Sequence, residues 1–423
     1  MSPEKASRAK TKPAKEPAKM IEALEELEWL AEKLKGVGHV AIDMESDSFY
    51  VYHEKVCLLQ LTAFGEDFVI DPLSVKDISP LGPMFRDPKI EKIFHAGEYD
   101  IVCLKRDYGF TIVNIFDTMV SSRTLGSSRL GLAPLIEQHF GVKLSKKLQR
   151  ANWGKRPLTP EHIEYARNDT HFLHELRDRL AAELDEKGLL RDAQDEFKRL
   201  EKLEPASKSF DPDHFWHLHG ARDLDGQRRA VLKRLYMFRE KTAARLDRAP
   251  FRVMPEDLLV RIAEKKPADM DALKKIRGMS PYLFSKFGKE LLREIDKGAE
   301  AAPVEKPPKR PKRDAWDGDS MRRYEALREW RKETAAKRGV NPVVILPTED
   351  VRLLAQSPAV NPDDEKHWLE CVSEYKREAY GEEILAILKA PRPQRKKRRR
   401  SRKKKPSGEN GESLAVQDAD QEA

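Results

Sequence analysis

The sequence predicts an α/β sheet domain followed by two small all-α domains. Short β-rich runs crowd the first 120 residues, helical patterns take over as far as Leu203, and after residue 205 no strong strand signal remains. Within the helical part, one long stretch recurs 92 residues later. At 423 residues the chain has room for about two to four domains.

Residues 1–19 are charged and rich in Pro and Ala, with no apolar stretch, and are expected to be a disordered leader, not a secretory signal. Apolar residues then recur at helical spacing (Ile21, Leu24, Leu27, Trp29, Leu30, Leu34), which predicts an amphipathic helix. HVAIDMES, VCLLQLTAF and DFVIDP follow as three closely spaced strands, an antiparallel meander. EKIFHA is a fourth strand, EYDIVCLKRDY a helix and IVNIFDT another strand. LAPLIEQHFG and TPEHIEYARNDTHFLHELRDRLAAEL are helical, the latter with Thr159 as N-cap and Pro160 in its first turn. The α/β domain is expected over 20–205.

The stretch 235–263 aligns without gaps to 327–355. Leu235 pairs with Leu327, Phe238 with Trp330, Arg239 with Arg331 and Pro255 with Pro347. One residue out of that register, Gly288, Leu291 and Leu292 pair with Gly381, Ile384 and Leu385. Two copies are too few for a solenoid, so two helical domains are expected, 206–299 and 318–390, joined by a Pro-, Lys- and Arg-rich linker, 300–317.

The net charge of +8 is unevenly placed. Residues 391–423 carry 11 Lys/Arg and 5 Asp/Glu, a net of +6, which leaves +2 for everything before them. This tail is expected to be disordered, and whether it contacts phosphate stays open. The three cysteines (Cys57, Cys103, Cys371) are far apart and form no CxxC pair, so neither a zinc knuckle nor a disulfide framework is supported. A reducing, cytoplasmic setting is expected. No run of about 18 apolar residues offers a membrane span.

Asp43 and Glu45 end a strand and share one of its faces, with Cα atoms about 7 Å apart. A divalent cation relieves the repulsion between two such acids, and carboxylates suit Mg²⁺ or Mn²⁺. The same triplet also occurs at solvated strand ends. Asp100, like Glu98, stands where a helix begins, which also suits a residue that only complements the helix dipole. Tyr165 and Asp169, four apart, share a helix face, as in any amphipathic helix. His217 and His219 have no third ligand nearby in sequence and are expected in a packed helix.

Taken together, in this order and at these distances, the features resemble ribonuclease D, within the 3′→5′ exonuclease group that uses four acids and a tyrosine. AIDMES, FHAGEYDI, RDYGFTIVNIFDT and YARNDTHFL carry the likeness, which covers about residues 20 to 390, and the duplicated segment resembles the helical HRDC domain. The resemblance implies a ribonuclease H-like exonuclease domain followed by two HRDC-like domains. It also implies two divalent ions per active site and structured RNA substrates, tRNA precursors among them. Asp43, Glu45, Asp100 and Asp169 match the metal-ligand acids, and Tyr165 matches the tyrosine that orients the attacking water. Two ions about 4 Å apart supply a nucleophile at neutral pH and relief of charge on the leaving 3′-oxygen. Asp43 and Asp169 would hold one ion, Asp43 would bridge to the other, and Glu45 would also meet the terminal ribose hydroxyl. Two departures concern substrate positioning. Asn152 precedes Trp153 where the family has an acid, and Tyr99 precedes Asp100 where it usually has a small residue.

The stretch 143–156 holds six basic residues, no acid, and Trp153. Lys146, Lys147 and Arg150 are expected to meet RNA phosphates and Trp153 a base, with the helical domains enlarging that surface. A 3′→5′ DNA exonuclease would use the same acids, but the two HRDC-like segments argue against it. A non-catalytic RNA-binding scaffold would have lost an acid, and none is lost. A monomer is expected by analogy.

Overall fold

The computed structural model describes residues 17–206, 210–306, 317–356 and 371–390. The expected disordered tail, residues 1–16 of the expected leader and most of the linker lie outside them.

Six strands form one mixed sheet: β1 (Lys19–Ile21), β2 (His39–Ser46), β3 (Val56–Ala63), β4 (Glu66–Ile70), β5 (Glu91–Phe94) and β6 (Ile115–Asp117). Their spatial order is β1-β4-β3-β2-β5-β6. The predicted meander is present, with β2–β3 and β3–β4 antiparallel and Asp43 directly opposite Gln60. β1–β4, β2–β5 and β5–β6 are parallel. All eight residues of β3 are buried, as are Val40, Ala41 and Ile42 of β2, so the central strands read as continuous apolar runs covered on both faces.

Helices α1 (Leu24–Lys33), α2 (Glu98–Tyr108), α3 (Thr118–Thr124), α4 (Leu132–Phe140), α5 (Pro160–His171), α6 (Leu173–Glu186) and α7 (Leu190–Glu201) accompany the sheet. α5 lies against β2, β3 and β4, α6 against β2 and β5, and α7 against β6. The N-terminus corrects the expectation in two ways. Lys19, placed in the leader, pairs with Phe68, and Ile21, placed in the first helix, is a buried β1 residue opposite Ile70. Trp29 is not part of the buried stripe of α1. It is 50% exposed, with the Lys33 ammonium 5.3 Å from its ring, while Leu27 and Leu30 face the core. The long helical run after Thr159 also breaks, at Phe172.

The first helical module comprises α8 (Gly226–Leu246), α9 (Pro250–Val253), α10 (Glu256–Lys265), α11 (Met270–Lys274) and α12 (Pro281–Glu300). The second comprises α13 (Gly318–Arg338), α14 (Pro342–Ile345), α15 (Thr348–Gln356) and α16 (Glu374–Lys389). α8, α9 and α10 begin 92 residues before α13, α14 and α15, so the repeat read from sequence is a repeat of structure. Asp225 and Asp317 cap the two long helices by accepting backbone N–H groups, and Leu235 and Leu327 are both fully buried. His217 lies in a 3₁₀ turn, Pro212–His217, with its ring 4.5 Å from that of His214.

Both modules dock on the sheet domain, by different chemistry. In the first, Asp247 accepts the backbone N–H groups of Tyr52 and His53, Ala249 donates to the Tyr50 carbonyl, and the Arg252 guanidinium lies 3.8 Å from the Tyr50 ring centre. In the second, Arg338 and Lys376 both donate to Asp192 on α7, at 2.6 Å each, and Tyr375 adds its hydroxyl. Arg199 of α7 answers with Asp350 at 2.8 Å. In the register of the repeat, Arg338, Asp350 and Lys376 stand where the first module has Leu246, Leu258 and Leu283 in its apolar core.

Candidate active site

β2 delivers Asp43 and Glu45 from the middle of the sheet onto one face, and the register slips between Glu45 and Ser46 as the strand ends. Asp100 arrives from the first turn of α2. The turn that feeds it is tight: a Cβ on Gly97 would come within 2.6 Å of the Phe94 side chain, and Ala96 sits at φ 58°. Asp117, at the end of β6, accepts the Gly97 N–H at 2.8 Å and caps α3 through Val120 N–H. Asp169 and Tyr165 come from α5, which starts on Thr159 as N-cap with Pro160 behind it.

The structure brings these residues together. Asp43, Glu45 and Asp169 each offer a carboxylate oxygen, all within 4.8 Å of one another. Asp100 is buried beside them and feels the charges of Asp43, Asp117 and Asp169. Burial is the main cause that raises every member. The Asp43 pKa is pushed up to about 7, although its hydrogen bond with the Met44 backbone works the other way. Glu45 is pushed up to about 10 by burial and then by Asp43, Asp169 and Asp100. Asp100 and Asp169 are held well above the ordinary carboxylate range by burial and by the same neighbours. Burial raises the Tyr165 hydroxyl too, helped by Asp169, Glu45 and Asp43.

This donor set fits divalent ions. It is made only of hard oxygens, as Mg²⁺ and Mn²⁺ prefer. Its members repel one another unless positive charge is supplied. Gln60, fully buried directly across from Asp43, has no hydrogen-bond partner for either side-chain atom among the described residues, so further polar contacts belong at this site.

The expected RNA contacts need correcting at one position. Trp153 is 1% exposed, with its ring 5.9 Å from that of Tyr165 and 5.3 Å from that of His162. It cannot stack on a base; it backs the helix that presents Tyr165. Its burial follows from Arg156, which reads as a free cation in the sequence but donates twice to Asp71 and so pins the 143–156 segment onto the sheet. Lys146, Lys147 and Arg150 remain exposed. Asp117 was missed by the sequence reading. Its signal was present, an Asp at the end of an apolar strand just before a helical stretch, which is an N-cap pattern.

Fold and site together define a 3′-5′ exonuclease domain of the DEDD type. Residues 18–185 match the family model described as 3′-5′ exonuclease, and residues 228–295 and 320–388 each match the HRDC domain. The chain thus carries a DEDD-type exonuclease domain followed by HRDC domains. It is similar to the Exosome complex exonuclease RRP6 of Saccharomyces cerevisiae, 33% identical over 265 residues, which are 59% of this chain and 36% of the relative. It is also similar to Exosome complex component 10 of Rattus norvegicus, 33% identical over 60% of this chain and 30% of that protein. The chain spans roughly a third of the length of these curated relatives. Among solved structures, the catalytic core of RRP6 from Trypanosoma brucei matches with a TM-score of 0.63 at 29% identity, over 70% of this chain and 83% of that one. Escherichia coli RNase D, described as an exoribonuclease involved in structured RNA processing, shares the fold with a TM-score of 0.61 at 24% identity, over 88% and 98% of the two chains.

Proposed function

We propose that the protein is a metal-dependent 3′→5′ exoribonuclease of the ribonuclease D type that releases nucleoside 5′-monophosphates, with tRNA precursors as its substrates. The observation that carries this reading is the convergence of Asp43, Glu45 and Asp169, with Asp100 beside them, from three elements far apart in the chain, β2, α2 and α5. Bound divalent ions supply the lowered water pKa and the charge relief at the leaving oxygen that phosphodiester hydrolysis needs. Asp43 and Asp169 hold that charge in place, and Glu45 and Asp100 complete the carboxylate set. Tyr165 keeps its proton at neutral pH, so it orients a water by hydrogen bonding and does not act as the base. A monomer in a reducing, cytoplasmic setting belongs to the same proposal.

The test is digestion of a 5′-labelled single-stranded RNA beside a DNA of the same sequence. The expected result is a ladder shortening from the 3′ end, with monophosphate release that EDTA stops and Mg²⁺ or Mn²⁺ restores. No release in either metal would leave a binding scaffold, and preference for the DNA would favour the DNA exonuclease. A second reading, decay of RNA alongside an exosome-like assembly, is supported by the 33% identity to two exosome proteins. Comparing tRNA precursors bearing 3′ trailers with unrelated structured RNAs separates the two.

A further inference from the structure

Tyr99 is the large aromatic side chain nearest in sequence to the acids that also reaches solvent. It immediately precedes Asp100 and is 44% exposed. Its hydroxyl is tethered: it donates to Glu54 Oε2 at 3.1 Å and shares a hydrogen bond with Ser46 Oγ at 3.2 Å. Ser46 is the residue after Glu45, so the hydroxyl is held at the end of the strand that carries two of the acids. Ser46 Oγ in turn lies 3.2 Å from Ser48 Oγ, and Glu54 accepts from Arg106 at 2.6 Å, so both anchors are themselves held.

The loop between those anchors gathers positive charge. The Arg150 guanidinium lies 5.9 Å from the exposed Phe49 ring, and its carbonyl accepts the Tyr50 hydroxyl at 2.9 Å. Arg252 of the first module donates to the Phe49 carbonyl. A tethered, exposed ring one residue before Asp100, with guanidinium groups close along the loop that holds its hydroxyl, suits the last bases of a single strand. Stacking supplies sequence-tolerant affinity and cations meet the phosphates. With Trp153 buried, Tyr99 and Phe49 offer exposed aromatic surface on either side of this loop.

We propose that Tyr99 is a substrate-binding residue that stacks on a base at the 3′ end of the RNA, and that its hydroxyl tether fixes the ring for that task. This deepens the exoribonuclease reading and rests on it. The test measures equilibrium binding, not turnover. The full chain carrying Asp43→Asn is titrated with a 5′-fluorescent RNA pentanucleotide, either intact or lacking the base of its 3′-terminal residue. The parent is expected to bind the intact RNA more tightly. Adding Tyr99→Ser should weaken binding of the intact RNA by roughly 5- to 100-fold, to the level of the abasic RNA, whose own affinity stays put. Tyr99→Phe, which keeps the ring, should retain most of the difference. Equal affinity of the Tyr99→Ser chain and its parent for intact RNA overturns the proposal, as does an equal loss on both RNAs or no discrimination by the parent. If the wild-type chain releases no monophosphates while the parent still discriminates through Tyr99, the hydrolytic reading fails and the stacking role stands.

Discussion

Asp192 and the Asp43 cluster are both acids taken out of water, yet burial ends differently for each. At Asp192 burial works to raise the pKa, but hydrogen bonds from Arg338 and Lys376 outweigh it and hold the carboxyl below its ordinary value. At Asp43, Glu45, Asp100 and Asp169 the neighbours are other acids, and every pKa goes up. The first arrangement is electrically complete within the chain. The second is complete only when cations arrive from outside. An uncompensated cluster of this kind marks a working site, and a compensated one marks a joint.

Five experiments can break or sharpen that contrast. Asp43→Asn removes one charge from the uncompensated group. RNA hydrolysis should fall on the order of a thousandfold or more, with RNA binding spared and the metal-free Tm unchanged or raised. Single-turnover release of monophosphates checks it, and an ordinary rate removes Asp43 from the chemistry. Asp192→Ala should do the reverse, sparing the chemistry and loosening the second module by about 3–5 kcal/mol, because two cations are left without their partner. Denaturant unfolding reads this, and a loss below about 1 kcal/mol would mean the joint is held by packing instead. The sign with pH follows. Asp192 has a depressed folded pKa, so its contribution is present above its ordinary value of 3.8 and is lost as pH falls through the lower folded value.

Tyr165→Phe should slow hydrolysis by roughly a hundredfold, about 2.7 kcal/mol, with the fold intact; unchanged kinetics would end its role. Mg²⁺ or Mn²⁺ binding near neutral pH should release protons, because carboxyls with pKa values of about 7 and about 10 must give theirs up. Calorimetry in two buffers of different ionisation heat detects this, and identical heats would contradict it. The smallest effect is expected where charge is solvated. Replacing Lys146, Lys147 and Arg150 by Ala should raise KM several-fold, roughly 1 kcal/mol, and flatten the salt dependence of binding. No change in either would clear those residues of RNA contact.

Much of the site was legible because it depends on local periodicity. Asp43 and Glu45 share a face by strand alternation, Tyr165 and Asp169 by helical spacing, and neither pairing needs the tertiary fold to be known. The two modules were legible because a constant offset of 92 preserves helix register. What stayed hidden depends on partners distant in sequence. Trp153 reads as exposed because cations surround it, yet Arg156 spends its charge on Asp71, 85 residues away. Lys19 and Ile21 read as leader and helix because a three-residue parallel strand has no period of its own; it exists only through β4. Nothing local in the sequence announces that Asp192, Arg338 and Lys376 meet.

The exchange of Leu246, Leu258 and Leu283 for Arg338, Asp350 and Lys376 makes the two copies non-interchangeable. The first copy keeps an oily interior of its own. The second keeps a smaller core but turns three such positions to clasp α7, so cut loose it would expose charges that now meet their partners there. A gene segment copied once has become a limb and a brace, and grafting the brace elsewhere would require bringing α7 along.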